Sequence, residues 1–272
     1  MDTKLARLQQ TLRAMESVAV AYSGGVDSAL LLKVAHDVLG DAVIALTADS
    51  PSLPRSELAD ARTLAGSLGV RHVCLPISEM SDARYLSNSP ERCYFCKTYT
   101  YDELISYARE KGYKCLVDGN NADDLGDFRP GQKAAREHGV RSPLQEVGLT
   151  KAEIRELSKE LGLPTWDKPA AACLSSRIPY GTVITLEALA QVEQSEAYLR
   201  TNGFRQVRVR HHGQIARLEL APGDFQRALA MRDDIVSALR AIGFAYIALD
   251  LSGFRSGSMN ETLKGNGRKE AQ

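Results

Sequence analysis

The sequence predicts an α/β protein with a doubly wound parallel sheet and a second, small α+β domain at the C-terminus. Short apolar runs alternate with helical patterns over the first 120 residues, as expected for strands that are buried on both faces. A stretch rich in serine and glycine follows the first run and opens the first helix, which is where such sheets bind ligands. From about residue 182 the pattern changes to alternating strands between amphipathic helices.

The first domain is expected to span residues 1–181. Its strands are expected at residues 17–22, 42–48, 71–77 and 114–119, each with an apolar centre. Its helices are expected at residues 27–40, 54–69, 98–112 and 150–162. Gly40 suits the end of the first helix, and a capping box of Thr150 and Glu153 opens the last. The intervening residues 120–148 are predicted to be irregular.

The second domain is expected to span residues 182–272. Its helices are expected at residues 185–202 and 224–241. Its strands are expected at residues 205–211, 214–220 and 244–251. An α+β domain of this size has its own core and can carry its own binding surface.

Composition excludes some classes of function. The 34 basic and 34 acidic side chains cancel, and this balance argues against nucleic acid as a partner. No run approaches the ~20 apolar residues of a membrane span, and the N-terminus is amphipathic without a signal core. Five cysteines, an odd number, argue against a disulfide framework and favour buried, catalytic or metal-bound thiols. We therefore expect a cytoplasmic protein with no membrane partner.

The stretch SGGVDS, residues 23–28, has the composition of a phosphate-binding loop. Its glycines allow a close approach of the backbone to an anion, and the helix N-terminus that follows attracts phosphate. It is neither a Walker loop nor a GxGxxG motif. An acidic side chain here would repel bare phosphate, so Asp27 makes better sense as a ligand of Mg²⁺. The candidate ATP-binding residues of this loop are Ser23, Gly24, Gly25, Asp27 and Ser28.

The loop resembles the pyrophosphate loop of the N-type ATP pyrophosphatases, which cleave ATP to AMP and pyrophosphate while adenylating an acid. That resemblance implies that the end of the second strand, with Asp49, holds adenine and ribose. Asp118 and Asp124 follow the fourth strand, and their carboxylates are candidates for Mg²⁺ or nucleotide contacts, a solvated acidic turn being the alternative. Arg129 and Lys151 are candidates for neutralising the departing pyrophosphate, or are surface charges.

The cysteines indicate what attacks the adenylate. The chain has no glutaminase segment to supply ammonia, which leaves sulfur as the favoured nucleophile. Cys74 and Cys115 lie in apolar runs and are expected to be buried and inert. Cys93 and Cys96 are expected in a loop before a helix, and Cys173 lies in a turn suited to a reactive thiol. Three thiolates suit either a zinc ion with a further ligand or a 4Fe-4S cluster with one open iron.

The ordered motifs SGGVDS, CYFC, DGNNADD, ACLSSRIPYG, VRVRHH and GFRSG resemble the LarE family over nearly the whole chain. These are the sulfur-inserting enzymes of nickel-pincer nucleotide biosynthesis, which serves lactate racemase. The resemblance implies that ATP adenylates a carboxylate of pyridinium biscarboxylic acid mononucleotide. Sulfur then displaces AMP to give a thiocarboxylate, and a second round gives the bisthiocarboxylate.

The same resemblance implies two possible sulfur sources. In one branch a single cysteine, matched by Cys173, gives up its own sulfur and the protein is consumed. In the other, a CxxC pair and a later cysteine hold a 4Fe-4S cluster that carries an extra sulfide. We favour the cluster, with Cys93, Cys96 and Cys173 as ligands and sulfide or another donor as the source, because sacrifice leaves the CxxC pair without a role.

The resemblance also implies a substrate site in the second domain. Its members are Ser176, Arg177, Glu196, Arg208, Arg210 and Arg255. Arginines suit the substrate phosphate because a guanidinium group binds phosphate with two hydrogen bonds. Without the resemblance, Arg208 and Arg210 could equally be the solvent face of a strand. Family members form trimers or hexamers, so a homo-oligomer is expected. The competing hypotheses are a tRNA thiolase and a nucleotide-sensing domain with structural zinc.

Overall fold

The computed structural model describes residues 2–126, 130–169 and 172–255 of the 272-residue chain. The chain forms two compact units. Unit 1 consists of Met1–Tyr85 and Glu91–Ala171, and unit 2 of Leu86–Pro90 and Ala172–Gln272. The short segment belongs to unit 2 because Asn88 Nδ2 donates hydrogen bonds to the carbonyl oxygens of Ile178 and Pro179 at 3.2 and 2.8 Å.

Unit 1 contains a parallel sheet of four strands. The strands are β1 (Val18–Ala21), β2 (Val43–Asp49), β3 (His72–Pro76) and β4 (Cys115–Val117). The helices are α1 (Asp2–Met15), α2 (Val26–Leu39), α3 (Arg55–Ser67), α4 (Ala83–Leu86), α5 (Arg92–Glu110), α6 (Pro130–Glu137), α7 (Pro143–Glu146) and α8 (Lys151–Glu160). The last residue of α4, Leu86, is assigned to unit 2. The strand order is β3-β2-β1-β4: β2 and then β3 lie on one side of β1, and β4 pairs with the other side of β1. The predicted doubly wound sheet is confirmed.

The sheet of unit 1 is buried on both faces, which explains its continuous apolar strands. Val18 and Val20 of β1 pack with residues of α1, α2 and α8. Ala19 between them packs on the opposite face, with residues of α5 and α6. Because β1, β2 and β4 supply residues to both cores, their carboxyl ends are held rigidly, and the loops that follow them are anchored at one edge of the sheet.

Unit 2 is a three-stranded sheet covered by helices. Its strands are β5 (Val207–His212), β6 (Ile215–Leu220) and β7 (Tyr246–Leu249), and its helices are α9 (Leu186–Thr201), α10 (Phe225–Ala230) and α11 (Arg232–Ile242). β6 is central, antiparallel to β5 and parallel to β7. Residues of α9, α11 and the sheet form its core, with Phe204, Val207, Leu218, Leu239 and Phe244 buried. The small α+β unit is confirmed, with the predicted helix 224–241 divided in two at Met231.

One boundary differs from the sequence expectation in a way that matters for the site. Helix α5 begins at Arg92, whereas the sequence predicted a loop up to residue 97. Aromatic residues have only modest helix propensity, but packing holds the first turn. The Tyr94 hydroxyl donates to Glu137 at 2.6 Å, and the Arg84 guanidinium lies 4.9 Å from the Phe95 ring centre.

The region expected to be irregular, residues 120–148, contains the two short helices α6 and α7. Within the described ranges, no helix is long and apolar enough to cross a membrane.

Candidate active site

The loop between β1 and α2 places an open helix N-terminus at the carboxyl edge of the sheet. Gly25 is the N-cap residue of α2 and has no side chain to cap the first N–H groups. Gly24 has φ 71°, and a Cβ there would lie 2.9 Å from Ala61 Cβ, so this position requires glycine. Ser28 Oγ lies 3.2 Å from both Ser23 Oγ and the Gly25 carbonyl oxygen. The loop therefore presents backbone N–H groups and hydroxyls, the donors that bind phosphate.

Asp27 lies in the first turn of α2 and is held by two later side chains. Its Oδ1 accepts a hydrogen bond from Asn121 Nδ2 at 3.2 Å, and its Oδ2 forms a close ion pair with Lys151 Nζ. Asn121 follows β4, and Lys151 is the first residue of α8. Because β1 and β4 are neighbours at the point where the strand order reverses, Asp27 lies where doubly wound sheets bind their ligands.

The surroundings of Asp27 fit Mg²⁺ only together with a nucleotide. Mg²⁺ is usually bound by one or two carboxylates and completes its shell with phosphate oxygens and water. Among the described residues there is no group of three or more His, Cys, Asp or Glu side chains that could hold a metal ion. A Mg²⁺ at Asp27 would therefore depend on the phosphates of ATP for most of its remaining ligands.

The two acidic side chains that were predicted to follow the fourth strand are buried in unit 1, where their carboxylates accept hydrogen bonds. Asp118 and Asp124 are each 5% exposed. Asp118 accepts hydrogen bonds at 2.6–2.8 Å from Tyr101, Ser142 and Asn120. Asp124 accepts one from the Asn121 N–H at 2.9 Å. Both carboxylates thus shape the loop that carries Asn121 to Asp27. Their direct contact with metal or nucleotide stays a prediction.

A cavity of about 440 Å³ opens at the carboxyl ends of β2 and β3. Asp49, Ser50 and Arg55 line it, and Arg55 Nη1 donates to Asp49 Oδ1 at 2.5 Å. Next to this lining, Ser52 Oγ donates to the buried carboxylate of Glu79 at 2.6 Å. The volume falls within the range of ligand pockets, and the position is the one expected for adenine and ribose.

Cys93 and Cys96 lie at the start of α5 and share one face of it, because residues three apart in a helix are neighbours. Cys93 is exposed and Cys96 is half-buried. The Lys97 ammonium lies 5.1 Å from the centre of the Tyr101 ring. The Tyr101 phenol, and with it Asp118 and Cys96, raise the pKa of Lys97. The CxxC pair is therefore followed directly by a lysine whose ammonium lies over the Tyr101 ring.

Cys173 is exposed and lies in unit 2, as the N-cap residue of the short 3-10 helix Leu174–Arg177. Its carbonyl oxygen accepts hydrogen bonds from the Ser176 N–H at 3.0 Å and the Ser176 hydroxyl at 2.7 Å. Arg177 Nη1 donates to the same oxygen at 2.9 Å. Three hydrogen bonds to one carbonyl fix the backbone that carries this thiol.

Arg177 and Glu196 form an ion pair inside unit 2, with side-chain exposures of 1% and 0%. Arg177 donates from Nε and Nη2 to the two carboxylate oxygens at 2.8 and 3.0 Å. Arg200 Nη2 and the Val209 N–H also donate to Glu196, at 2.5 and 3.1 Å. Burial raises the pKa of Glu196, but the guanidinium groups of Arg177 and Arg200 outweigh it, and the net pKa is lowered. The pair supports the turn of Cys173, and its contact with substrate stays a prediction.

Arg210 is only 5% exposed, so the strand that carries it does not present it on a solvent face. Its Nη1 donates to the Ser176 carbonyl oxygen at 2.9 Å, and its Nη2 to Glu219 Oε2 at 2.7 Å. Arg217 Nη2 lies 3.1 Å from the other oxygen of the same carboxylate. Arg210 thus links β5 to the turn that follows Cys173.

Arg208 lies on the same strand and is half-buried, with its guanidinium 5.2 Å from the centre of the Phe254 ring. Burial, and after it the neighbouring Arg177 guanidinium, lower the pKa of Arg208 to about 10. Arg255 is also half-buried and follows Phe254 directly. Nearby, Arg177, Arg200, Arg210 and Arg217 form ion pairs with Glu196, Glu219 and Asp250, and Arg208 is a fifth arginine close to Glu196. We refer to these five arginines as the arginine cluster.

The remaining sequence predictions have mixed outcomes. Arg129 lies outside the described residues. Cys74 and Cys115 are half-buried, not fully buried. Cys74 Sγ accepts a hydrogen bond from Arg62 Nε at 3.4 Å, so this thiol lies beside a cation and not in an apolar core.

Sequence reasoning missed several residues of these networks. Asn121 lies within the motif DGNNADD, residues 118–124, but nothing in the sequence distinguishes its amide from the neighbouring polar side chains as a partner of Asp27. Lys97 and Tyr101 are four residues apart and so are neighbours on one face of a helix. The predicted helix began at residue 98, so it did not include Lys97. The contacts of Arg200 and Glu219 depend on how β5 packs on α9 and pairs with β6. Spacing in the sequence does not determine either arrangement.

Comparison with known proteins agrees with this arrangement. A family model described as NAD synthase matches residues 4–97. The chain is 46% identical over 265 residues to the uncharacterized protein slr1717 of Synechocystis, covering 97% of this chain and 99% of the relative. It is 28% identical over 228 residues to the tRNA-specific 2-thiouridylase MnmA of Rickettsia peacockii, covering 69% and 62%.

A further relative identifies the family. The pyridinium-3,5-bisthiocarboxylic acid mononucleotide synthase of Lactiplantibacillus plantarum is 43% identical over 262 residues, covering 96% of this chain and 95% of the relative. The match therefore extends through both units. On this similarity, the chain belongs to the LarE family, within the larger group of enzymes that share the pyrophosphate loop.

Proposed function

We propose that this protein is an ATP-dependent sulfurtransferase that converts a carboxylate of pyridinium biscarboxylic acid mononucleotide into a thiocarboxylate, for nickel-pincer nucleotide synthesis. The observation that carries the proposal is the full-length similarity to the L. plantarum synthase. The geometry of each unit supplies parts that this chemistry needs.

Unit 1 suits the activation of the carboxylate. A substrate carboxylate oxygen attacks the α-phosphorus of ATP, the bond to the β-phosphate oxygen breaks, and pyrophosphate leaves. The N-terminus of α2, with the hydroxyls of Ser23 and Ser28, presents hydrogen-bond donors for the phosphates. Asp27 would hold Mg²⁺, which neutralises the charge that develops on the leaving group. The cavity beside Asp49 would hold the adenosine.

Unit 2 suits the phosphate of the substrate. The arginine cluster brings guanidinium groups together beside the turn of Cys173, and a guanidinium group can bind a phosphate with two hydrogen bonds. Burial, and after it the Arg177 guanidinium, lower the pKa of Arg208 to about 10, and the Glu196 carboxylate offsets part of this effect. We infer that Arg208, Arg210 and Arg255 receive the phosphate, while Ser176 and Arg177 position the turn beside it.

For sulfur delivery we propose a 4Fe-4S cluster ligated by Cys93, Cys96 and Cys173. Cys93 and Cys96 share one face at the start of the 19-residue helix α5 and would supply two of the ligands, while the described residues contain no group of three or more His, Cys, Asp or Glu side chains that could hold a metal ion. None of the five cysteines, all within the described residues, forms a disulfide. When bound, such a cluster would supply sulfide-level sulfur to the adenylated carboxylate, forming a carbon–sulfur bond as the bond between the acyl carbon and the AMP oxygen breaks.

The activation step is tested by measuring AMP and pyrophosphate released from ATP in the presence and absence of the acid substrate. We expect release that depends on pyridinium biscarboxylic acid mononucleotide, and a KM for that acid that rises at least about tenfold in Arg208→Gln with little change for ATP. Arg205→Gln, an exposed arginine in the loop before β5, is the control. Release that depends on tRNA and not on the acid would favour a tRNA thiolase instead.

The sulfur source is tested by purifying the protein without oxygen and measuring iron, sulfide and the visible spectrum. We expect bound iron and sulfide that Cys93→Ala loses, while Cys74→Ala keeps both. Cys173 should retain its mass after sulfur transfer. Conversion of Cys173 to dehydroalanine in iron-free protein would establish sacrificial donation instead. Whether the protein forms trimers or hexamers stays a prediction that sedimentation can test.

A further inference from the structure

Two serines that follow β2 connect the cavity at the carboxyl ends of β2 and β3 to a buried carboxylate. Ser50 lines the cavity, and its Oγ lies 3.0 Å from Ser52 Oγ. Ser52 Oγ in turn donates a hydrogen bond to Glu79 Oε1 at 2.6 Å. Ser52 and Glu79 are only 4% and 2% exposed. The three side chains therefore form a hydrogen-bonded row that runs from Glu79 to the wall of the cavity.

Glu79 fixes the direction of both hydrogen bonds in this row. A serine hydroxyl has a single proton and two lone pairs. Ser52 donates its proton to Glu79, so in its contact with Ser50 it can only accept. The Ser50 hydroxyl consequently donates its own proton to Ser52, and its oxygen keeps lone pairs without a free proton. Towards the cavity, the Ser50 side chain is therefore a hydrogen-bond acceptor and not a donor.

A second acceptor in the cavity wall, Asp49, differs from Ser50 because it carries charge. Asp49 Oδ1 accepts a hydrogen bond from Arg55 Nη1 at 2.5 Å, so an ion pair already occupies that side chain. The Ser50 oxygen is neutral and selects by hydrogen bonding: it favours a ligand group with an N–H or O–H and disfavours one that presents an oxygen. The apolar residues of the wall, which suit a planar base, are Pro51, Pro76 and Ile77.

We propose that Ser50 is a specificity-determining residue of the nucleotide cavity: held as an acceptor by Ser52 and Glu79, it binds a hydrogen-bond donor of adenosine, which is the amine of the base or a ribose hydroxyl. This inference rests on the proposed use of ATP and names the kind of group that the cavity recognises. An analogue that lacks the donor is rejected, because the Ser50 oxygen is then left unpaired in the complex. Ser52 and Glu79 act through Ser50 and are positioning residues.

The test measures, by calorimetry in the presence of Mg²⁺, the affinity of the wild-type protein for ATP and three analogues. Inosine triphosphate has a carbonyl oxygen in place of the amine, and 2′-deoxy-ATP and 3′-deoxy-ATP each lack one ribose hydroxyl. We expect one of these changes to weaken binding about tenfold. Weak binding of inosine triphosphate would identify the amine as the donor to Ser50, and weak binding of a deoxy analogue would identify the missing hydroxyl.

Three variants test whether the row causes this preference. Ser50→Ala should bind all four nucleotides within about twofold of one another, because the acceptor is gone. Glu79→Gln should reduce the preference to within about threefold, because an amide can donate to Ser52 and so reverse the direction of the row. Ser81→Ala is the matched control: Ser81 is exposed and donates to the Ser78 carbonyl oxygen, outside the row, so this variant should keep the wild-type preference.

Equal affinities of the wild type for ATP and all three analogues would overturn the proposal, as would a preference that persists in Ser50→Ala. Pyrophosphate is the control for folding, because it engages the phosphate loop alone and should bind each variant as it binds the wild type. If Glu79→Gln loses pyrophosphate binding, its fold is damaged, and Ser50→Ala, at a half-buried position, decides the outcome. A wild type that binds neither ATP nor pyrophosphate would overturn the proposed function as well. A wild type that binds ATP without preference would overturn only the role of Ser50.

Discussion

Replacing Glu196 by Gln keeps the shape of the side chain but removes the charge that Arg177 and Arg200 share. The carboxylate is 0% exposed and accepts four hydrogen bonds, of which three come from guanidinium groups, at 2.5 to 3.0 Å. Removing one partner of a buried ion pair costs about 3–5 kcal/mol, because the other charge is left unpaired. Gln retains an oxygen that accepts part of these bonds, so we expect a loss of about 3 kcal/mol in the stability of unit 2.

The assay is native-state hydrogen exchange, which reports the opening free energy of each element separately. Amides of β5 and β6 should exchange faster in Glu196→Gln by a factor that corresponds to this loss. Amides of α2, in unit 1, are the internal reference. Glu187→Gln is the matched control, because Glu187 is exposed in the first turn of the same helix and should cost about 0.5 kcal/mol through the helix dipole.

A change below about 1 kcal/mol in β5 and β6 would refute the reasoning, since no buried charge could then have been left unpaired. The alternative for Glu196 is direct contact with substrate. That alternative predicts unchanged exchange in the free protein together with a weaker affinity for the acid substrate.

Three further predictions concern unit 1. Gly24→Ala should weaken ATP binding at least about tenfold by calorimetry, because φ is 71° and the new Cβ would lie 2.9 Å from a side-chain carbon of α3. Tyr101→Phe should lower the free energy of unfolding by about 1–2 kcal/mol in urea, because the buried carboxylate of Asp118 loses a donor at 2.8 Å. The hydrogen bond from Lys4, and after it the one from the Thr150 N–H, lower the pKa of Glu153 to about 2. The Glu153 carboxylate therefore stabilises the fold at pH values above its ordinary pKa, and this stabilisation is lost as the pH falls towards 2. Glu153→Gln should therefore cost about 1 kcal/mol near neutral pH, and the difference from the wild type should vanish near pH 2.

Each of these variants has a control, which lies on the same helix for Tyr101 and Glu153 and on the helix that Gly24 contacts for Gly24→Ala. Gly66→Ala in α3 meets open space and should bind ATP normally. Tyr107→Phe in α5 and Glu160→Gln at the other end of α8 should leave stability within about 0.5 kcal/mol. Equal effects in a variant and its control would contradict the assigned contact. A difference between Glu153→Gln and the wild type that persists at pH 2 would contradict the role of the charge.

Local pattern predicted most of the architecture because β1, β2 and β4 of unit 1 pack on both faces and so appear as continuous apolar runs. Val18, Ala19 and Val20 serve two cores at once, which leaves no polar position to obscure the strand. The capping box of Thr150 and Glu153 was equally visible, since all its members are local. The start of α5 was not, because its first turn is held by contacts with Arg84 and Glu137 that lie elsewhere in the chain.

The motif at residues 23–28 indicates a local backbone geometry that the sequence shows, whereas contacts between partners that meet only in the fold are not visible in the sequence. Asp118 and Asp124 were acidic residues in the right loop, but their hydrogen bonds with Tyr101 and Ser142 depend on the packing of α5 and α7. Arg210 was expected to bind phosphate or face solvent. Its pairing with Glu219 follows from a strand register that composition does not determine.

The most direct test of the account is mass spectrometry of pyridinium biscarboxylic acid mononucleotide after incubation with the anaerobically purified protein, ATP, Mg²⁺ and sulfide. We predict a product in which sulfur replaces a carboxylate oxygen, with AMP and pyrophosphate formed in amounts equal to the sulfur inserted. ATP cleavage without sulfur in the product, or sulfur insertion without ATP, would contradict it.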